Sequence, residues 1–490
     1  MFRSFFTESC SLLAIRSILR IPLLSLYLLL TILLFPGIVS ALSTKEHFPS
    51  FPSITDNVAF WENIYAKYTE DTAVLHDREN LSIIYTVTPL LDSRLPGSSR
   101  VNRAYLEVVK KKYTTMLKKF ASGEKPASVD EVRIYSFFSP PDLDKKFSEA
   151  ANNLRIQTGL KNRFIEGVIR SGAYMSDMKK IFRSYKLPED LVYIAHVESS
   201  FHPKAHSKHG AVGVWQFTRS TGRELMTINY ILDERLDILA ATHGAARYLK
   251  RNYEKLGSWP LAITAYNYGR AGMMRAVAQE GSYENIFNNY QEGHFKFASK
   301  NFYAEFLAAR NVAKKLEKAE FIQQDSPRNV VHLKLPGYAA AVDISNHFQL
   351  DKAELQELNP SLLHPVWQGE KYIPKGFSLR LPQNAKIITL SKSMPTSLFK
   401  SNQKRSKYYN VRRGDTASGI AHRFDISLQR LVKINNLNDK AVVYVGQKLR
   451  IPPPSPGHPP RKEIGENLNS SHYFEGVIPV LKEKKKDTTS

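Results

Sequence analysis

Between His196 and Gln216 the chain reads HVESSFHPKAHSKHGAVGVWQ, and one acid in it, Glu198, is placed for proton chemistry. Pro188 suits the first position of a helix, and Glu189 and Asp190 fall in its positive first turn. Leu191, Ile194 and Ala195 share one face. This predicts a helix whose last turn holds Glu198, broken by Ser199, Ser200 and Pro203. A carboxylate at the negative end of a helix, flanked by Phe201 and under Trp215, is costly to ionise. Its pKa should rise, as a general acid near neutral pH requires. The plain alternative is a solvated helical glutamate. No other acid lies between Ser199 and Gln216, and Glu189 and Asp190 sit two or more turns before Glu198.

After the break come Ser207, the small run Gly210-Ala211-Val212-Gly213, and Trp215-Gln216. Glycines let backbone run close to a ligand, while Trp215 offers an apolar face and Gln216 a polar one. Sugars present both kinds of surface. His196, His202, His206 and His209 crowd around Glu198, but their spacing is not His-Glu-x-x-His and no helix aligns them. Solvated loop histidines are therefore expected, with no metal and no cofactor.

The ordered set Glu198-Ser199-x-Phe201-x-Pro203-x-Ala205-x-Ser207-x-x-Gly210-Ala211-x-Gly213-x-Trp215-Gln216 resembles the catalytic signature of soluble-lytic-transglycosylase-type murein transglycosylases, the membrane-bound D type in particular. Ala265-Tyr266-Asn267-x-Gly269 is similar to the second motif of that family. The resemblance spans about residues 155 to 318. It implies a lysozyme-like, mainly α catalytic domain that cleaves the β-1,4 bond between N-acetylmuramic acid and N-acetylglucosamine. Glu198 would first protonate the glycosidic oxygen. As a carboxylate it would then take the proton of the C6 hydroxyl, closing a 1,6-anhydro ring. The internal hydroxyl replaces water, so the second carboxylate of ordinary glycoside hydrolysis is not required.

The same resemblance implies that Ser207 hydrogen-bonds near the catalytic carboxylate or the sugar acetamido group. Gln216, Tyr266 and Asn267 would line the cleft, and the last helix would add a tyrosine, for which Phe302-Tyr303 offers Tyr303. Each has a structural alternative: a turn cap for Ser207, a bond to backbone for Gln216, a core position for Tyr266. Two rival functions remain open, a hydrolytic muramidase and a non-catalytic wall-binding protein.

The scaffold for these groups can be read from periodicity. Residues 45–150 read as a helical region, with Phe60, Trp61, Ile64 and Tyr65 at helical spacing and Tyr105 to Phe120 alternating lysines with apolar residues. A packing or spacer role is the expectation there. In the catalytic unit, residues 155–318, Phe164, Val168 and Ile169 mark one helix, and Met178, Ile181 and Phe182 the next. Asp233 is read as the cap of a helix running to Lys255, Trp259 to Tyr268 as the helix delivering Tyr266 and Asn267, and Lys296 to Lys318 as the last.

Residues 408–452 read strand–helix–helix–strand. Gly414-Asp415-Thr416, Asn435-Asn436 and Gly446-Gln447-x-Leu449-x-Ile451-Pro452 resemble a LysM domain. That implies a βααβ module binding N-acetylglucosamine-containing chains through Gly414, Asp415, Thr416, Asn435 and Asn436. Residues 330–382 echo the plan as a diverged LysM-like unit, followed by a basic linker over 386–407. The fold class expected is thus mainly α with small βααβ modules, in several domains.

The chain has 490 residues and a formal charge of +23. Such a charge calls for an anionic partner field, and without zinc-finger spacing or single-strand-binding aromatics nucleic acid is not expected. Murein, a membrane face or the sacculus surface fits. Residues 1–41 read as a signal peptide or membrane anchor, with Arg3, Arg16 and Arg20 before an apolar run and Val39-Ser40-Ala41 as a cleavage site. That predicts a periplasmic address. Cys10 is the only cysteine, so no disulfide framework is expected. The tail, 453–490, is proline-rich and then basic, and is expected to be disordered.

Overall fold

The structure is a computed structural model that describes residues 47–452, apart from 406 and 425, together with 477–478. The segment 1–41 and nearly all of 453–490 lie outside the described residues. Mainly α architecture with small sheets is what the described residues show.

The N-terminal region departs from the all-helical expectation for 45–150. Helix α1 (Thr55–Ala66) forms and buries Phe60, Trp61, Ile64 and Tyr65. Beyond it, β1 (Thr72–Asp77) and β2 (Ile84–Pro89) make an antiparallel hairpin. β2 is rich in β-branched residues, and Asp77 closes the turn between the strands by accepting from the backbone of Glu79 and Asn80. Helices α2 (Ser98–Ala121), α3 (Val129–Tyr135) and α4 (Leu143–Asn153) come next, and β3 (Leu154–Thr158) returns to pair with β1, giving the order β2-β1-β3. Leu75, Tyr85, Phe120 and Phe147 form the core between sheet and helices.

Where two helices were expected over 164–182, α5 (Lys161–Ser184) is one. Its glycines admit close packing rather than a break. A Cβ at Gly167 would lie 2.5 Å from the Ser200 carbonyl oxygen, so the chain just beyond Glu198 rests directly on α5. Residues Glu189–Tyr193 form a 3-10 turn that runs into α6 (Ile194–Ser199). Then come α7 (Arg219–Leu225), α8 (Ile238–Leu256) and α9 (Trp259–Tyr268), with α10 (Arg270–Glu280), α11 (Tyr283–Asn289) and the long α12 (Phe297–Glu317) completing the domain. The cap of α8 is Asp237, not Asp233; Asp233 instead caps a short 3-10 turn ahead of it. Helix α12 packs along α1, with Asn57 donating to Asn301 at 2.7 Å and Asn311 to Glu62 at 2.9 Å.

The two C-terminal modules share one construction. In residues 330–382, β4 (Val330–Lys334) pairs antiparallel with β5 (Ser378–Pro382) around α13 (Ala341–Phe348) and α14 (Lys352–Leu358). The expected linker is partly ordered, since Ala385–Lys392 is helical and tucks Ile387 into this core. In the next module β6 (Tyr408–Asn410) pairs antiparallel with β7 (Lys448–Arg450) around α15 (Ala417–Arg423) and α16 (Leu428–Ile434). Asn359 donates to the carbonyls of Leu355 and Arg380 and accepts from the Arg380 amide. Asn435 does the same with Leu431 and Arg450. One side chain thus ties the second helix to the last strand in both units. The first module is also joined to the helical domain of α5–α12, through a buried Arg380–Asp237 ion pair and the amide of Asp233 donating to the Ser361 carbonyl.

Candidate active site

Glu198 sits in the last turn of the short α6, as its sequence predicted. The backbone just past this helix is unusual: Ser200 and Phe201, neither a glycine, have φ of 47° and 55°. Arg170 of α5 holds this turn by donating to the carbonyls of Ser200 and Phe201, at 3.0 and 3.4 Å. Ser199 donates to the Val214 carbonyl at 3.0 Å, fastening α6 to the Gly213–Gln216 loop. Gly213 is required there, because a Cβ would stand 2.1 Å from the Arg235 carbonyl oxygen and φ is +78°.

Burial raises the Glu198 carboxyl from 4.5 to about 8, and the like charge of Glu305 adds to it. Among the described residues no hydrogen bond opposes that rise. Glu305 was not anticipated from the sequence. It lies on α12, and burial raises it likewise to about 8, with Arg155 pulling it down. Its signal was a lone acid in the apolar run Phe302-Tyr303-Ala304-Glu305-Phe306-Leu307-Ala308-Ala309. At roughly 100° per residue, Glu305 points between Asn301, which faces α1, and Phe302, which faces Tyr266. Tyr65 of α1 is buried against Phe164, ring centroids 4.6 Å apart, and its hydroxyl is pushed up by burial and then by Glu305 and Glu198.

Tyr266 of α9 donates its hydroxyl to the Trp215 carbonyl at 2.8 Å, and its ring lies parallel to that of Phe302 with centroids 6.3 Å apart. Burial pushes this hydroxyl's pKa up, and Glu198 is its largest charged neighbour. Asn267, exposed at the end of α9, accepts from the Ser299 hydroxyl at 2.7 Å. Trp215 is fully buried, its indole donating to Thr242.

Other expectations are redirected. Tyr303 does not line the cleft; it is fully buried among Phe51, Tyr283 and Phe306, and Phe302 takes the place beside Tyr266. One residue turns a helical side chain by more than a quarter turn, which the sequence register did not resolve. Ser207 accepts from the amides of His209 and Ala211, the turn-cap alternative. Gln216, at φ 47°, donates to the carbonyls of Ala205 and Gly213, bracing its own loop. His196 is not solvated. It is buried between Phe164 and Phe201, neither ring nitrogen has a hydrogen-bond partner, and burial lowers its pKa to about 3. Among the described residues no group of three or more His, Cys, Asp or Glu side chains is placed to hold a metal ion.

In the C-terminal module Gly414 supplies a left-handed turn, Asp415 accepts from Arg412, Tyr409 and Arg423, and Thr416 caps α15. Asn435 makes the tie between helix and strand, and Asn436 adopts φ 49°. These expected glycan-binding residues therefore shape the module, and any sugar contact would be additional.

Residues 178–288 match the Transglycosylase SLT domain family and residues 409–452 the LysM domain family. The chain thus carries an SLT domain and a LysM domain. The membrane-bound lytic murein transglycosylase D of Escherichia coli K12 is 25% identical over 293 residues, covering 58% of this chain and 64% of that protein. The protein of the same name from E. coli O6:H1 matches to the same extent. The chain therefore spans just under two thirds of the length of these curated relatives. The crystal structure of the 70 kDa soluble lytic transglycosylase Slt70 from E. coli aligns with 46% of this chain and 45% of that one, at 14% identity and a TM-score of 0.23. Tyr65, Arg155 and Glu305 all lie outside the segment matched as SLT. Among the described residues no helix is long and apolar enough to cross a membrane.

Proposed function

We propose that this protein is a peptidoglycan lytic transglycosylase of the cell envelope, working in the periplasm. The observation that carries the reading is Glu198 at the end of α6, its carboxyl raised by burial to about 8, with no hydrogen bond to it among the described residues. Such a group can donate to a glycosidic oxygen and then recover a proton from the C6 hydroxyl, forming a 1,6-anhydromuramic acid end. The match to the SLT domain and the likeness to murein transglycosylase D support the same substrate. Tyr266 and Asn267 border the sugar, the LysM domain adds glycan affinity in the same chain, and the +23 charge favours the anionic wall.

Glu305 favours a second reading. Two carboxyls at one site are what hydrolysis by water would use. Against it, Glu305 is itself held protonated near neutral pH, and a protonated acid cannot activate water. Purified protein should solubilise isolated sacculi, releasing muropeptides and lowering turbidity. Tight binding to sacculi with no release would instead favour a wall-binding protein without catalysis.

A further inference from the structure

The N-terminal region contributes Tyr65 and Arg155 to the surroundings of the two carboxyls, which a spacer would not do. Arg155 is placed by β3. His76 of β1 pairs opposite it, and its neighbour Ile156 packs towards the core of Tyr85, Phe120 and Phe147. Alternation along the strand turns Arg155 to the other face. There its guanidinium lies over the ring of Phe297, 4.0 Å from the centroid, at the start of α12. Two residues on, Ser299 bonds to Asn267 at the end of α9, and Glu305 lies further along the same helix.

The Nε of Arg155 is buried and meets no acceptor. Glu305 feels the charge of Arg155 but makes no hydrogen bond with it. The side chain is half-buried, and its terminal nitrogens, less shielded than Nε, form the part of the guanidinium that an oxygen anion could meet; a planar guanidinium suits a carboxylate best. Within murein the carboxylate nearest the scissile bond belongs to the lactyl arm of the muramyl residue. It is free only when the stem peptide has been removed; otherwise it is an amide.

We propose that Arg155 is a substrate-binding residue that receives the lactyl carboxylate of a muramyl residue, so that the enzyme prefers glycan strands stripped of stem peptides. This rests on the transglycosylase reading. The site takes a single carboxylate carried on an amino-sugar polymer, and Phe297 beneath the guanidinium keeps the arginine flat for it.

The test uses amidase-stripped glycan strands and the same strands with their lactyl carboxylates converted to methylamides. For the wild type, amidation should raise KM by roughly tenfold or more with kcat little changed. Arg155→Gln should show the raised KM on the free acid and no further response to amidation, while Arg155→Lys should recover part of the discrimination. Thermal unfolding of each variant identifies any that fails to fold, and the amidated substrate tests the wild type without mutation. A wild type indifferent to amidation, or Arg155→Gln as sensitive as wild type, would overturn the proposal. So would a loss confined to peptide-bearing strands, which would point to a stem carboxylate. Product masses from the same digests judge the transglycosylase reading separately, since anhydro ends can form whether or not Arg155 discriminates.

Discussion

Replacing Glu198 by Gln should lower kcat on murein by at least about a thousandfold, because one proton-transfer group ordinarily contributes 10²–10⁴ and in the proposed mechanism this one would serve both halves of the reaction. Gln keeps the shape and a hydrogen-bond donor, so binding to sacculi should survive. A second consequence has the opposite sign. The Glu198 carboxyl is raised from 4.5 to about 8 in the folded protein, so the unfolded chain releases that proton first. Between those values the unfolded state binds fewer protons, and wild-type stability declines as pH rises through the window. Glu198→Gln lacks this loss and should melt higher than wild type in mildly alkaline buffer, with the difference shrinking towards acid pH. Activity and stability thus move in opposite directions at one residue. Steady-state rates and melting curves across pH check both; an active Gln variant would remove the general-acid role.

The other large effect is expected from Glu305→Gln, and it lies in the pH profile. In the proposed mechanism catalysis starts from protonated Glu198, so the alkaline limb should track the loss of that proton. After burial, the charge of ionised Glu305 is what helps to hold the proton on Glu198. Without that charge Glu198 ionises at lower pH, and the alkaline limb moves towards neutrality. The variant should lose several-fold in rate at about pH 8 and little at about pH 6, where both proteins begin protonated. A general base for water would behave otherwise, since its removal would depress the rate at every pH. Measured kcat/KM from acid to alkaline pH separates the two.

Local grammar accounts for the features legible in the sequence. The helix end at Glu198, the Trp259–Tyr268 helix and the second module's strand–helix–helix–strand order each rest on caps, glycines and periodicity within a few residues. The hidden features depend on distant pairings. Arg155 comes to lie over Phe297 at the start of α12 because β3 returns to β1 across some eighty residues, a partnership that no short window of sequence reveals. Glu305 and Tyr303 were a question of which way one helix faces, and α12 is apolar on most of its circumference. Ser207 and Gln216 were expected to meet the sugar, yet their polar atoms brace their own loop, because its positive-φ turns at Gly210, Gly213 and Gln216 need internal hydrogen bonds. His196 read as polar from its type, but three aromatic neighbours make it a neutral ring in a core.

Beneath all of this is one chemical decision, whether the sugar's own hydroxyl or a water molecule takes the cleaved carbon. Mass spectrometry of muropeptides released from purified sacculi reads it directly. Wild-type protein should yield 1,6-anhydromuramyl ends, one water lighter than a hydrolysed product and resistant to borohydride reduction. Reducible, fully hydrated muramic acid ends would contradict the transglycosylase reading and make Glu305 part of a hydrolase.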